Sequence, residues 1–233
     1  MRIRQLAQSI IFLVLVLNSI NDIKDSKNTM NHNLEITEQT IIFKIADDQA
    51  IIIKNLCCEG DHFYRYDPIE IFFYNKDICY LLSQHDYLLC QLEEFYGALK
   101  KAMQDKLELI DPLCDLGYLW NQYLHKSNQD NEEIEDDVEW DVRTYLVWSG
   151  KGYDTWLYTK ESNVLIQITP TYKWHYLDPE EHLDFVPYDE WIKNYKSLFT
   201  IEIDKKTAQE WLEAIEELLK KIIENDAIYL HRE

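Results

Sequence analysis

Residues 138–174 read VEWDVRTYLVWSGKGYDTWLYTKESNVLIQITPTYKW, and this stretch decides the fold class. Large side chains take alternate positions at Val138, Trp140, Val142, Thr144, Leu146 and Trp148, the period of a strand laid against a core. Gly150-Lys151-Gly152 turns the chain and residues 153–159 return. Glu161-Ser162-Asn163 turns it again, and 164–169 and 172–176 continue. Regular short strands joined by tight turns predict an antiparallel meander.

The same grammar runs upstream. Residues 34–45 and 50–56 are rich in β-branched and aromatic side chains and are separated by Asp47-Asp48-Gln49. Residues 69–74 (IEIFFY) and 78–82 follow, with Asn75-Lys76-Asp77 between them as a second hairpin turn. Three consecutive isoleucines, Ile51, Ile52 and Ile53, suit a strand covered on both faces.

Two segments change period. Leu88, Leu92, Phe95, Leu99 and Met103 recur every three or four residues, which predicts an amphipathic helix over about 86–108, ended by Asp111-Pro112. Cys90 falls on its apolar side in this reading. A second long helix is predicted over about 205–224. Thr207 and Glu210 form its capping box, and Trp211, Leu212, Ile215, Leu218, Leu219 and Ile222 form its stripe. Shorter helices are expected at 116–124 and 189–196, and a further strand at 198–203. The class is therefore α+β: antiparallel sheets packed against two long amphipathic helices. Residues 30–233 form one domain, divisible into subdomains 30–125 and 138–233 joined by an acidic loop.

The 233 residues carry 43 acids against 23 Lys and Arg, a net charge of −20. That field repels a phosphate backbone and argues against nucleic acid as a partner, while it attracts a basic protein. The acids are not evenly spread. Asp130, Glu132, Glu133, Glu135, Asp136, Asp137, Glu139 and Asp141 lie within twelve residues that hold no Lys or Arg. Aligned with an EF-hand loop from Asn128, this segment has Glu133 where the sharp turn requires glycine, so a solvated acidic surface is the better reading.

Other motifs dissolve on inspection. Gly150-Lys151-Gly152 joins two β-rich runs and lacks the strand-to-helix context of a phosphate loop. Cys57-Cys58-Glu59-Gly60-Asp61-His62 has metal-binding atom types, but adjacent cysteines on a strand face opposite ways. His175, Glu180, Glu181 and His182 match no zinc-protease spacing, and Pro179 interrupts any helix there. No cofactor or metal is expected. An enzyme of unfamiliar type would draw on Asp141 or Glu139 with His175.

The N-terminus points in two directions. Arg2 and Arg4 precede an apolar run at 10–17 (IIFLVLVL), which looks like a signal peptide and is too short to span a bilayer, and no small-x-small cleavage site follows. Residues 1–29 are thus either a signal-like segment or an extension upstream of a start at Met30. The five cysteines are odd in number and two are adjacent, which suits free thiols in a reducing compartment. A cytoplasmic location is expected, with export as the alternative. Stable membrane insertion is not expected unless the N-terminal segment is retained.

Trp140, Trp148, Trp156, Tyr158, Tyr172, Trp174 and Tyr176 lie on neighbouring candidate strands. Alternation puts large rings on both sheet faces: either a sheet flanked by two long helices buries them as core, or part of the set forms a binding surface, with the neighbouring acids Glu139, Asp141 and Asp154 suiting a basic target. Trp140, Trp156 and Trp174, next to the acids, are the candidate aromatic anchors for a partner.

From about residue 116 to 219 the chain resembles the immunity proteins of bacterial polymorphic and contact-dependent toxin systems. The resemblance rests on the acidic loop, on DVEWDVRTYLVWSGKGYDTWLYTK, on ITPTYKW and on the terminal Trp-bearing helix. It implies a cytoplasmic, non-enzymatic protein that blocks a cognate toxin by tight binding. Many such toxins are basic nucleases, which an acidic inhibitor can occlude. The signal-like N-terminus departs from that pattern.

Overall fold

The computed structural model describes residues 33–37, 39–57, 62–76, 78–109, 115–127, 142–175 and 185–230, the last three by backbone alone. Two antiparallel sheets share one core. The first is a five-stranded meander, β1 (Leu34–Ile36), β2 (Thr40–Ala46), β3 (Gln49–Asn55), β4 (Ile69–Asn75) and β5 (Ile78–His85), in sequence order. It is followed by α1 (Leu88–Met103) and α2 (Leu116–Ser127). The second sheet orders β6 (Leu146–Ser149), β7 (Tyr153–Lys160), β8 (Asn163–Pro170) and β9 (Phe199–Ile203). The short α3 (Tyr188–Trp191) precedes β9, and α4 (Lys205–Leu230) ends the described chain. The α+β class and its antiparallel pairing stand as the residues predict.

Helices α1 and α4 form a layer between the sheets. Phe95 of α1 meets Phe43 of β2 edge-on at 5.3 Å on one side and Trp148 of β6 at 4.8 Å on the other. Trp211 of α4 also packs on Phe43, and its indole N–H donates to the Asn33 carbonyl at 3.0 Å, pinning α4 to the start of the first sheet. The second sheet is covered on both faces. Thr159 of β7 donates its hydroxyl to Ala102 at the end of α1, while Trp156, pointing the other way, meets Trp120 of α2. That sandwich explains why six successive residues of β7, from Asp154 to Thr159, are buried.

The hairpin turns work without the usual glycines. Glu161 and Ser162 take φ of 51° and 65° between the paired Lys160 and Asn163, the two left-handed positions of a type I′ turn. Gly150 is needed for another reason. A Cβ there would lie 1.9 Å from the Leu82 carbonyl oxygen, because the β6–β7 hairpin presses on β5. The Ser83 hydroxyl donates to the Ser149 carbonyl at 2.9 Å across the same junction.

Several expectations are corrected. Helix α1 stops at Met103 rather than near 108. Asp105 turns left-handed at φ 54°, and the Asp105 and Lys106 amides bond back to the Ala102 and Lys101 carbonyls. This is a Schellman ending with aspartate in the place where glycine would have announced it. The expected stop at Asp111-Pro112 lies outside the described residues, and Cys90 is exposed rather than on the apolar side.

The alternation from Val138 to Trp148 does not make one strand: Val142 and Arg143 are helical, and β6 begins only at Leu146. A bulge between Leu146 and Trp148 lets Val147 and Trp148 both be buried. Residues 173–175 form a 3-10 turn instead of a strand. Asp204 caps α4, accepting the Thr207 amide at 3.0 Å and its hydroxyl at 2.7 Å, while Glu210 accepts instead from the Asn33 amide nitrogen at 2.8 Å.

Candidate functional site

The outer face of the second sheet gathers polar and aromatic groups that α2 positions. Asp115 precedes α2 and accepts the Tyr118 amide at 3.0 Å as its cap. The same carboxylate accepts the Tyr195 hydroxyl at 2.8 Å and the Ser197 hydroxyl at 2.7 Å, tying α2 to the segment that leads into β9. Two residues on, Gly117 passes close to β8: a Cβ would meet the Thr169 hydroxyl at 2.3 Å and the Tyr195 hydroxyl at 2.4 Å. This close approach lets Asn121, fully buried, bond to the backbone on both sides of Thr171.

At the far end of α2 the rings form a continuous cluster. His125 stacks on Tyr188 with centroids 3.7 Å apart and planes 12° apart, and His175 lies 6.0 Å from His125. Tyr172 meets His175, Tyr188 and Trp191, and its hydroxyl donates to the Val186 carbonyl at 2.7 Å. Burial, reinforced by His125, pushes the His175 imidazole down to about 4, so it is neutral at pH 7. Burial also lowers His125, against the pull of Asp189, and raises the Tyr188 phenol to about 12, with Tyr118 and Asp189 adding to the effect. Phe185 and Val186 beside the cluster are exposed.

Behind this cluster sits Asp154, with no exposed surface. Ser149 and Thr171 donate their hydroxyls to its two oxygens, both at 2.7 Å. Desolvation outweighs those bonds and raises its carboxyl to about 6. The sequence reading of Asp154, an acid beside the aromatic strands suited to a basic target, is corrected: its carboxyl is enclosed between Ser149 and Thr171 and faces no solvent.

The expected partner-binding residues separate. Asp130, Glu132, Glu133, Glu135, Asp136, Asp137, Glu139, Trp140 and Asp141 lie outside the described residues, as do Glu180, Glu181 and His182. The described chain leaves toward that acidic segment at Ser127 of α2 and returns at Val142, which is buried in the common core. Trp156 is fully buried and donates its indole N–H to the Thr169 hydroxyl at 2.8 Å, so it is a core residue and not a surface anchor. Trp174 is buried apart from its edge, with the Lys173 ammonium 4.3 Å above its ring and Phe185 against it. The reason is the same for both: α2, residues 171–175 and residues 185–195 cover the face that the strand pattern leaves open.

Chemistry elsewhere is sparse. Among the described residues no three His, Cys, Asp or Glu side chains converge on a metal position, and no helix is long and apolar enough to cross a membrane. A cleft of about 370 Å³ between α1 and α4 is lined by Tyr96, Lys100, Met103, Gln209, Leu212 and Glu213, with no histidine or cysteine. No protein-family model, no curated protein and no solved structure matches the chain.

Proposed function

We propose that the chain is a non-enzymatic, acidic protein-binding domain, most concretely an immunity-type inhibitor of a basic protein partner. The observation that carries this reading is the concentration of eight acids over residues 130–141, flanked by elements held in the core: α2 through the buried Asn121, and the returning chain through the buried Val142. A dense cluster of like charges favours fast, salt-sensitive capture of a cationic surface. Exposed Phe185 and Val186, with Asp189 and Glu190 nearby, add an apolar and acidic rim on the α2 side. The same net charge of −20 argues against nucleic acid as a partner.

The test uses the purified product of a neighbouring gene as partner. Association measured at increasing salt should slow by one to two orders of magnitude. A variant carrying D136K, D137K and Trp140→Ala should lose most of that salt dependence. Unchanged binding by this variant would show that the acidic segment is not the contact.

A second reading, enzymatic, is favoured by one observation: His175 is held neutral beside His125 and Tyr188, a perturbed cluster of the sort found in active sites. Replacing His175 with glutamine would abolish activity in that case and leave partner binding intact in the first.

A further inference from the structure

The first sheet has a second apolar face, turned away from α1 and α4. Ile42, Ile52 and Phe72 lie in register across β2, β3 and β4, and Ala50 and Tyr74 pair beside them. These side chains form their own cluster, separate from the main core. They are 2%, 0%, 9%, 5% and 6% exposed, in that order. Side chains on a sheet face open to water keep a sizeable exposed fraction, so values near zero require a cover.

The shape of the covered area is informative. Leu81 of β5, the next residue in the Ile42–Ile52–Phe72 row, is 40% exposed, and Glu35 of β1, at the other end of the row, is a partly exposed carboxylate paired with Lys44. The cover is thus a strip over the three central strands. Three strands span about 10 Å between the outer axes, close to the diameter of a single helix.

Among the described residues, the one partly buried hydrophobic side chain packed against this cluster is Cys79, at its edge. Of the remaining stretches, 110–114, 128–141 and 176–184 are tied at both ends to α1, α2 or the second sheet, and 58–61 is Cys-Glu-Gly-Asp. The stretch before Asn33 is different. It enters beside β2, where the Lys44 amide donates to the Asn33 carbonyl at 2.8 Å, and it contains IIFLVLVL at 10–17. The fifteen residues from 18 to 32 can reach up to about 50 Å, twice the width of a five-stranded sheet.

We propose that the apolar run at residues 10–17 docks on the Ile42–Ile52–Phe72 face of its own chain and completes the fold as a cover for the first sheet. The run then acts as a structural layer whenever residues 1–32 are retained, and a chain beginning at Met30 exposes a continuous apolar strip. The inference stands apart from the partner reading, since it rests on the first sheet and not on the acidic segment.

The test is a photo-crosslink within the full chain, its N-terminus verified by mass. Leu81 is exposed, so replacing it with benzoylphenylalanine leaves the core intact while placing the probe at the rim of the strip. Irradiation should join it, within one chain, to the tryptic peptide 5–24. Crosslinks to another stretch, crosslinks between copies, or none to this peptide would overturn the proposal. As a second readout, Leu13→Asp with Leu15→Asp should raise alkylation of Cys79 by roughly tenfold or more relative to exposed Cys57; unchanged labelling of Cys79 would equally count against it.

Discussion

Asn121 holds Tyr172 in place through the backbone: its side-chain oxygen accepts the Tyr172 amide at 2.8 Å while its nitrogen donates to Gly117 at 2.7 Å and to Pro170 at 3.1 Å. Pro170 and Tyr172 sit where β8 ends and the chain must turn beneath α2, which contains Gly117. The side chain therefore substitutes for the strand partner that the backbone lacks beyond Pro170.

Replacing Asn121 with leucine should cost about 2–4 kcal/mol, because it strands the buried Tyr172 N–H and the Pro170 carbonyl and forces a larger side chain into a filled site. The urea midpoint, followed by near-UV dichroism of the Tyr172 cluster, measures it. A midpoint within error of the parent would mean that water replaces the amide without loss.

Asp154 makes stability depend on pH. Its folded pKa, about 6, lies above the ordinary value of 3.8, so the folded state binds the proton more tightly. Its contribution is full below about 3.8 and is lost as pH rises through 6, by up to about 3 kcal/mol. Asp154→Asn should flatten this trend, so the difference in unfolding free energy between the two proteins should shift steadily between pH 4 and 7. A constant difference would mean that Asp154 is ionised throughout.

His175 acts in the opposite sense. Its folded pKa, about 4, lies below the ordinary 6.5, so its neutral form is worth most above 6.5 and stability falls as pH drops toward 4. In the proton spectrum its ring signals should stay at their neutral positions at pH 6, where an ordinary histidine is mostly protonated. His125→Asn should move the His175 midpoint upward by removing the neighbouring positive charge. A His175 midpoint near 6.5 in the parent would contradict the packing described.

The two turn glycines of the β6–β7 hairpin should behave differently. Gly150→Ala drives a methyl into the Leu82 carbonyl and should cost about 1–3 kcal/mol, whereas Gly152→Ala meets nothing within 4 Å and should be near neutral. Thermal midpoints compare them directly. Equal midpoints would show that the hairpin and β5 separate easily.

Much of the fold was legible because its signals are local. The IEIFFY strand, the Leu88 to Met103 stripe and the Trp211 helix announce themselves by period, and antiparallel neighbours follow from short turns. The errors fall where a local rule met a specific contact. Alternation around Val142 and Leu146 is overridden by a bulge that buries both Val147 and Trp148, with Trp148 against Phe95 of α1. The Schellman ending at Asp105 carried no glycine to mark it. The Thr207–Glu210 pattern gave way to Asp204, one turn earlier, because Glu210 was claimed by Asn33 from the other end of the chain.

By itself, the order of residues determined the class, the meander in each half, the two long helices and the acidity of residues 130–141, since charge and period are properties of neighbours along the chain. Which rings are core and which are surface was decided only in three dimensions. Trp156 looked available until α2 covered it, and Asp154 looked solvated until Ser149 and Thr171 closed around it. A strand pattern states which side chains share a face; only the packing of distant segments states what lies against that face.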